Sequence, residues 1–269
     1  MKPWILVLFC IGLLCPFLPA RESLTLKVKV NEVEREALVF PAPPSASGKD
    51  KTSLPPLVLC YHGHGGNAKQ AARSFGIHEA WPEALVVYPL GIPTPGKLTD
   101  PEGKRNGWQS APGDQGDRDL AFFDELMKAL PKDHAFDPKN VFVMGHSNGG
   151  GFTYLLWAMR GKSLHAVAPC AAVAPLIIKQ LTPKPCLHLA GTDDLLVRFT
   201  WQERMMQSVM EINHCEPTGK PWAPGCLRYD PKEKQEGATM IQFIHEQGHR
   251  YPTEATTLIV RFFREQCLR

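Results

Sequence analysis

Two hydrophobic periods alternate along this chain, and their order predicts a fold before any chemistry is read. Residues 24–30, Leu-Thr-Leu-Lys-Val-Lys-Val, alternate strictly between apolar and polar, the period of a half-buried strand. Residues 35–40 continue in extended style, so the two segments predict an antiparallel hairpin. After a Pro/Ser/Lys-rich loop at 41–56 the pattern changes to short, largely apolar runs at 57–61, 84–88, 141–144, 165–171, 185–190 and 240–244. Strands buried on both faces read this way, and they belong inside parallel sheets. Helical segments at 119–130, 147–160, 199–212 and 253–265 fall between or after them. The alternation predicts an α/β fold with a mostly parallel central sheet, helices on both faces and the N-terminal antiparallel hairpin. No internal repeat and no second domain is visible, and residues 21–269 are expected to form one catalytic domain.

One segment resists this scheme. Residues 90–115 are rich in Pro, Gly and charge and follow a strand end, which makes them a candidate rim or lid at the edge of the sheet where ligands bind. Trp108 within it is a candidate substrate platform, or else the anchor of its own loop.

Residues outside the periodic pattern set the compartment. Lys2 precedes an apolar run at 4–18, and Leu18-Pro19-Ala20 ends in a small residue. Residues 1–20 therefore read as a secretory signal peptide, too short and Pro-interrupted to span a bilayer. A secreted or periplasmic monomer is expected, free of the membrane once the leader is cleaved. The formal net charge of +3 is spread along the chain without a Lys/Arg block, so nucleic acid is not an indicated partner. Export permits disulfides. Cys215 and Cys226 bracket a Pro/Gly-rich loop at 216–225 and are the expected pair, whereas Cys60, inside an apolar strand, reads as a small buried residue.

The candidate chemistry centres on Gly145-His146-Ser147-Asn148-Gly149, which lies between an apolar strand and a helical segment apolar on every face. Strand, G-x-S-x-G and helix define a nucleophile elbow, whose crowded turn only glycines tolerate on either side of the serine. Gly150 and Gly151 would let the following helix approach the sheet. A serine hydroxyl needs an imidazole as base and a carboxylate to hold that imidazole. In α/β-hydrolases the chain order is serine, acid, histidine. Asp193 and Asp194, after the strand at 185–190, compete for the acid role, and Asp194 is favoured because adjacent carboxylates cannot both point inward. Among the later histidines, His249 in a loop after the last strand is preferred over His245, which ends that strand, and over His214. The oxyanion needs two preorganised amides. Asn148 supplies one, and His64 in His62-Gly63-His64-Gly65-Gly66 is the candidate for the other. His146 joins Trp108 as a candidate substrate contact.

His245-Glu246-Gln247-Gly248-His249 also matches the H-E-x-x-H zinc-protease pattern, which requires both histidines on one helix. Residues 239–244 read as a strand, Gly248 weakens a helix and Pro252 follows. The serine-centred residues are equally compatible with a serine peptidase on the same fold, and the fold by itself with a secreted binding protein that has no activity.

Four segments carry a family resemblance: Leu57-Val-Leu-Cys-Tyr-His-Gly-His-Gly-Gly-Asn67, Phe136-Asp-Pro-Lys-Asn-Val-Phe-Val-Met-Gly-His-Ser-Asn-Gly-Gly150, Gly191-Thr-Asp-Asp194 and Gln247-Gly-His249. With these the chain resembles the secreted polyhydroxybutyrate depolymerase and feruloyl esterase family of α/β-hydrolases, from Leu57 to the end. The resemblance implies that Ser147 attacks an ester, that Asp194 orients His249, and that neither cofactor nor metal takes part. It implies small or oligomeric esters as substrates, of the feruloyl, acetyl-carbohydrate or hydroxyalkanoate type, with plant cell-wall carbohydrate esters among them. Two departures bear on the pocket: the family commonly has a tryptophan soon after its histidine where this chain has Arg250-Tyr251, and its acid motif usually begins His-Gly-Thr where this chain has Ala190-Gly191-Thr192.

Overall fold

The strictly alternating segments form a hairpin, β1 (Leu24–Val30) with β2 (Val33–Phe40), paired antiparallel from Leu24↔Val39 to Val30↔Val33. The computed structural model describes residues 21–43 and 54–268, and the expected signal peptide at 1–20 lies outside the described residues. The remaining strands are β3 (Leu57–Tyr61), β4 (Leu85–Pro89), β5 (Ile92–Pro93), β6 (Asn106–Gly107), β7 (Val141–His146), β8 (Ala166–Cys170), β9 (Cys186–Gly191), β10 (Lys220–Ala223), β11 (Cys226–Tyr229) and β12 (Met240–His245). The helices are α1 (Ala68–Phe75), α2 (Ile77–Ala80), α3 (Arg118–Asp133), α4 (Asn148–Arg160), α5 (Phe199–Ile212) and α6 (Ala255–Gln266).

Ten strands build one sheet in the order β1-β2-β4-β3-β7-β8-β9-β12-β11-β10. Pairing is parallel from β4 through β3, β7, β8 and β9 to β12, and antiparallel at both ends. The parallel interior follows from sequence. All five residues of β3, of β4 and of β8 are buried, so each strand needs a cover on both faces. Along β3, Leu57, Leu59 and Tyr61 enter one core with residues of α3, α4 and α5, while Val58 and Cys60 enter the other with residues of α1, α2 and α6. Cys60 is a small buried side chain, as expected.

Two expectations need correction. The segment 216–225 is not simply a loop: β10 and β11 form a hairpin turning at Gly225, whose φ is 71°, and they extend the sheet beyond β12. Cys215 and Cys226 are not bridged, and both are free and buried. The hairpin explains why. Cys215 bridges Pro231, past the C-terminal end of β11, whereas Cys226 is the first residue of that strand. Five extended residues separate them by roughly 15 Å, well beyond the span of a disulfide. Cys215 Sγ instead faces the carbonyls of Tyr229 and Ala238.

α1 lies in a region where the apolar pattern predicts no element. Its caps are nevertheless legible: Asn67 Oδ1 accepts from the Gln70 amide at 2.9 Å, and Gly76 closes the helix with φ 54°.

Candidate active site

Ser147 occupies the turn between β7 and α4 with φ 57° and ψ −121°, a backbone conformation that side chains rarely adopt. Its neighbours explain the motif's glycines. A Cβ on Gly145 would stand 2.3 Å from Gly149 O, and one on Gly149 would stand 2.2 Å from Tyr61 O. Gly150 is equally confined, 2.6 Å from Ala172 Cβ. Gly151 is not: its nearest neighbour would be Val173 O at 3.8 Å, and it lines the cavity instead of admitting the sheet.

Three chain segments converge on Ser147. Its hydroxyl lies 2.7 Å from His249 Nε2, and His249 Nδ1 donates to Asp194 Oδ2 at 2.8 Å. Asp194 is wholly buried and its two oxygens accept from four groups. Oδ1 takes the amides of Leu196 and Val197 at 2.9 and 2.8 Å, and Oδ2 takes Gln202 Nε2 at 3.1 Å besides the imidazole. Asp193 is exposed. Gly191 allows the two loops to meet, since a Cβ there would sit 2.1 Å from Gln247 O. His249 remains partly open, with 19% of its side chain accessible.

Behind the carboxylate runs a buried relay that the sequence does not announce. Gln202 on α5 accepts from His188 Nε2 at 3.4 Å, and Tyr154 on α4 donates to His188 Nδ1 at 2.7 Å. The direction follows from Gln202 Oε1, which can only accept. Burial lowers the His188 pKa to about 4, so the ring is neutral and fits this donor pattern. No motif marks Gln202. Only tertiary packing brings it to Asp194.

The segment 90–115 is fastened to the site. Trp108 is fully buried, donates from Nε1 to His62 O at 2.9 Å and stacks on Phe152 at 5.4 Å. It anchors its own loop and does not reach the cavity, correcting its role as a substrate platform. Asn148 clamps the same residue, accepting from its amide at 2.7 Å and donating to its carbonyl at 2.9 Å. Further along, Gln109 and its amide bond to Asp119 on α3, which pairs with Arg35 of β2 at 2.9 Å in the interior.

The glycine-rich turn after β3 is built around two histidines. His62 is buried; Nδ1 donates to Gly63 O and Nε2 accepts from Gly91 N, while burial depresses its pKa to about 4. His64 Nε2 is 3.0 Å from Asp100, and its ring lies against Gly96 and Gly107, where any Cβ would clash. His64, Ser147 and Asn148 all border one cavity of about 1340 Å³. The Asn148 amide begins α4, where no intrahelical acceptor exists for it. His146 also borders the cavity, but its ring packs 5.1 Å from that of His249 and against Tyr251. Burial and the neighbouring His249 bring its pKa down to about 3.

The H-E-x-x-H pattern does not form its required helix. His245 ends β12, and residues 246–250 are irregular. Both His249 nitrogens are engaged by Ser147 and Asp194. His245 is a packed strand-end residue beside Phe243.

Strand order, elbow and chain order define an α/β-hydrolase. A solved ferulic acid esterase superposes with TM-score 0.59 over 90% of this chain and 98% of that one, at 13% identity, and a Bacillus cereus carboxylesterase with TM-score 0.58 over 87% and 95%, at 18% identity. Among sequence relatives, a probable feruloyl esterase C of Aspergillus clavatus is 28% identical over 198 residues, 72% of this chain and 69% of that protein. A feruloyl esterase D of Neurospora crassa is 25% identical over 155 residues, 55% of this chain and 52% of that protein. A bifunctional acetylxylan esterase/xylanase of Neocallimastix patriciarum is 28% identical over 104 residues, and the matched region spans 15% of its length. No protein-family model matches the chain. Within the α/β-hydrolase fold, the chain is thus similar to proteins named as esterases.

Proposed function

We propose that the protein hydrolyses carboxylic esters through an acyl-enzyme on Ser147. The observation that carries this reading is the pair of contacts at His249, 2.7 Å to Ser147 Oγ and 2.8 Å to the buried Asp194 carboxylate. Ser147 attacks the ester carbonyl as His249 Nε2 takes its proton. Asp194 holds the imidazole in the tautomer that accepts there and stabilises the imidazolium. The amides of His64 and Asn148 receive the oxyanion, each contributing roughly 10²–10³ in rate when well placed. His249 returns the proton to the departing alcohol, and water then releases the acid by the same path.

The substrates are small or oligomeric esters of the feruloyl, acetyl-carbohydrate or hydroxyalkanoate type, and the cavity of about 1340 Å³ leaves room for an oligomeric alcohol. The leader-like residues 1–20 support export of the protein. Among the described residues no helix is long and apolar enough to cross a membrane.

The test uses methyl ferulate and a short-chain chromogenic ester, with an anilide of the same acid as the amide arm. Ester turnover and fluorophosphonate labelling, both lost in Ser147→Ala and both surviving a zinc chelator, are the expected result. Activity that needs metal and survives Ser147→Ala overturns it.

A further inference from the structure

The charge of the cavity is one-sided. Among the described residues its lining includes Lys97, Arg105, Arg204 and Arg250 and no aspartate or glutamate, although the whole chain is nearly balanced at 30 Lys and Arg against 27 Asp and Glu. The ion pairs bordering it are His64–Asp100, Arg105–Asp100 and His249–Asp194. Both carboxylates are buried and already committed. Lys97, Arg204 and Arg250 are therefore left without a carboxylate partner among the described residues, and all three are exposed. They come from three separate elements: the segment 90–115, α5 and the loop after β12. A cation in this position has no fold partner to stabilise, whereas at the mouth of a cleft lined by one sign of charge it attracts a negative ligand.

The same mouth is apolar between the charges. Leu98, Leu176 and Trp201 line it with 56%, 65% and 39% of their surface open. Large apolar side chains left exposed around a cleft fit a ligand with a hydrophobic body. Arg250 directly follows His249, the group that hands a proton to the departing alcohol. Its backbone therefore adjoins the group that serves the departing alcohol.

Building on the esterase reading, we propose that the cavity selects esters whose alcohol portion carries a carboxylate on an apolar or aromatic frame, with Arg250 and Arg204 as its partners and Lys97 adding to the field. Cleavage itself is unchanged. The carbonyl carbon to alcohol oxygen bond breaks, the acyl group passes to Ser147 Oγ and then to water, and the anionic alcohol leaves with the proton from His249.

The test is a pair of aryl acetates, 4-acetoxybenzoate and its methyl ester, which differ by one negative charge on the leaving group. Each kcat/KM is divided by the ester's own hydroxide-catalysed rate to remove intrinsic reactivity. At low salt the charged ester is expected to be preferred about tenfold. The preference should shrink toward unity as ionic strength rises from about 0.02 to 0.5 M, and the charged-to-neutral ratio should collapse in Arg204→Gln/Arg250→Gln. Because the ratio is taken within one protein, partial unfolding of the variant cancels. Equal turnover of the two esters by active wild type, or a ratio the double variant leaves intact, overturns this inference alone. Failure to cleave either ester overturns this inference, and refusal of methyl ferulate as well overturns the esterase reading with it.

Discussion

Asn148 and Trp108, 40 residues apart, exchange two hydrogen bonds: the Asn148 side chain accepts from the Trp108 amide at 2.7 Å and donates to its carbonyl at 2.9 Å. The residue after the proposed nucleophile thus holds the segment 90–115 by its backbone and ties it to the elbow. Asn148→Ala keeps the backbone amide but releases Trp108. The expected outcome is a loss of about 1–3 kcal/mol in urea unfolding and a fall in ester kcat of about tenfold or more as the oxyanion donors lose their alignment. Unchanged kcat in a destabilised variant would reduce the clamp to a structural role.

Gln202 donates to Asp194 and is predicted to act as a positioning residue. Gln202→Leu removes one donor from the carboxylate and strands the His188 Nε2–H in the interior. Turnover should fall about tenfold with KM unchanged, because the imidazole is held less firmly while the cavity wall is untouched. The steady-state constants decide it: a rise in KM at constant kcat would refute the relay.

Asp119 and Arg35 form a buried pair, 0% and 1% exposed. Removing one partner leaves the other charge uncompensated, which costs about 3–5 kcal/mol. Asp119→Asn should lower stability by that order and loosen the far end of the segment 90–115, seen as faster amide exchange around Gln109. A change below about 1 kcal/mol would show that Arg35 finds another partner.

His62, His146 and His188 have pKa values of about 4, 3 and 4, each lowered from 6.5 chiefly by burial. Between those values and 6.5 the unfolded chain binds more protons than the folded one. Stability from these groups is therefore fully present above about pH 6.5 and is lost as pH falls toward the folded values, by up to about 1.4 kcal/mol per unit for each group. The urea midpoint should drop steadily from pH 6.5 to 4.5, before most carboxylates titrate. A flat midpoint over that window would mean that all three rings take up protons in the fold as they do in the unfolded chain.

Ser147, Asp194 and His249 were each legible as candidates because they sit in short segments with local demands. Gly145 and Gly149 are fixed by backbone crowding around Ser147, and the order of serine, acid and histidine follows from successive strand ends. The strands were legible because burial on both faces removes polar residues from the whole run. The hairpin β10–β11 was not, since its strands are four residues each and Lys220, Pro221 and Leu227 are exposed at the edge of the sheet, where burial imposes no apolar run. That missing edge also led to the misplaced cysteine pair.

Sequence alone pointed to the parallel sheet, to the strained turn at Ser147 and to Asp194 and His249 as the residues favoured to meet it, because periodicity and glycine sterics act over a few residues. Tertiary structure decided everything that depends on distant segments meeting: Trp108 turned inward under Asn148, Gln202 set behind Asp194, and three cations from separate elements gathered around one cavity without a carboxylate partner among the described residues. Such contacts join residues 40 or more positions apart, or pair groups whose spacing carries no period, and only the packing of helices onto the sheet brings them together.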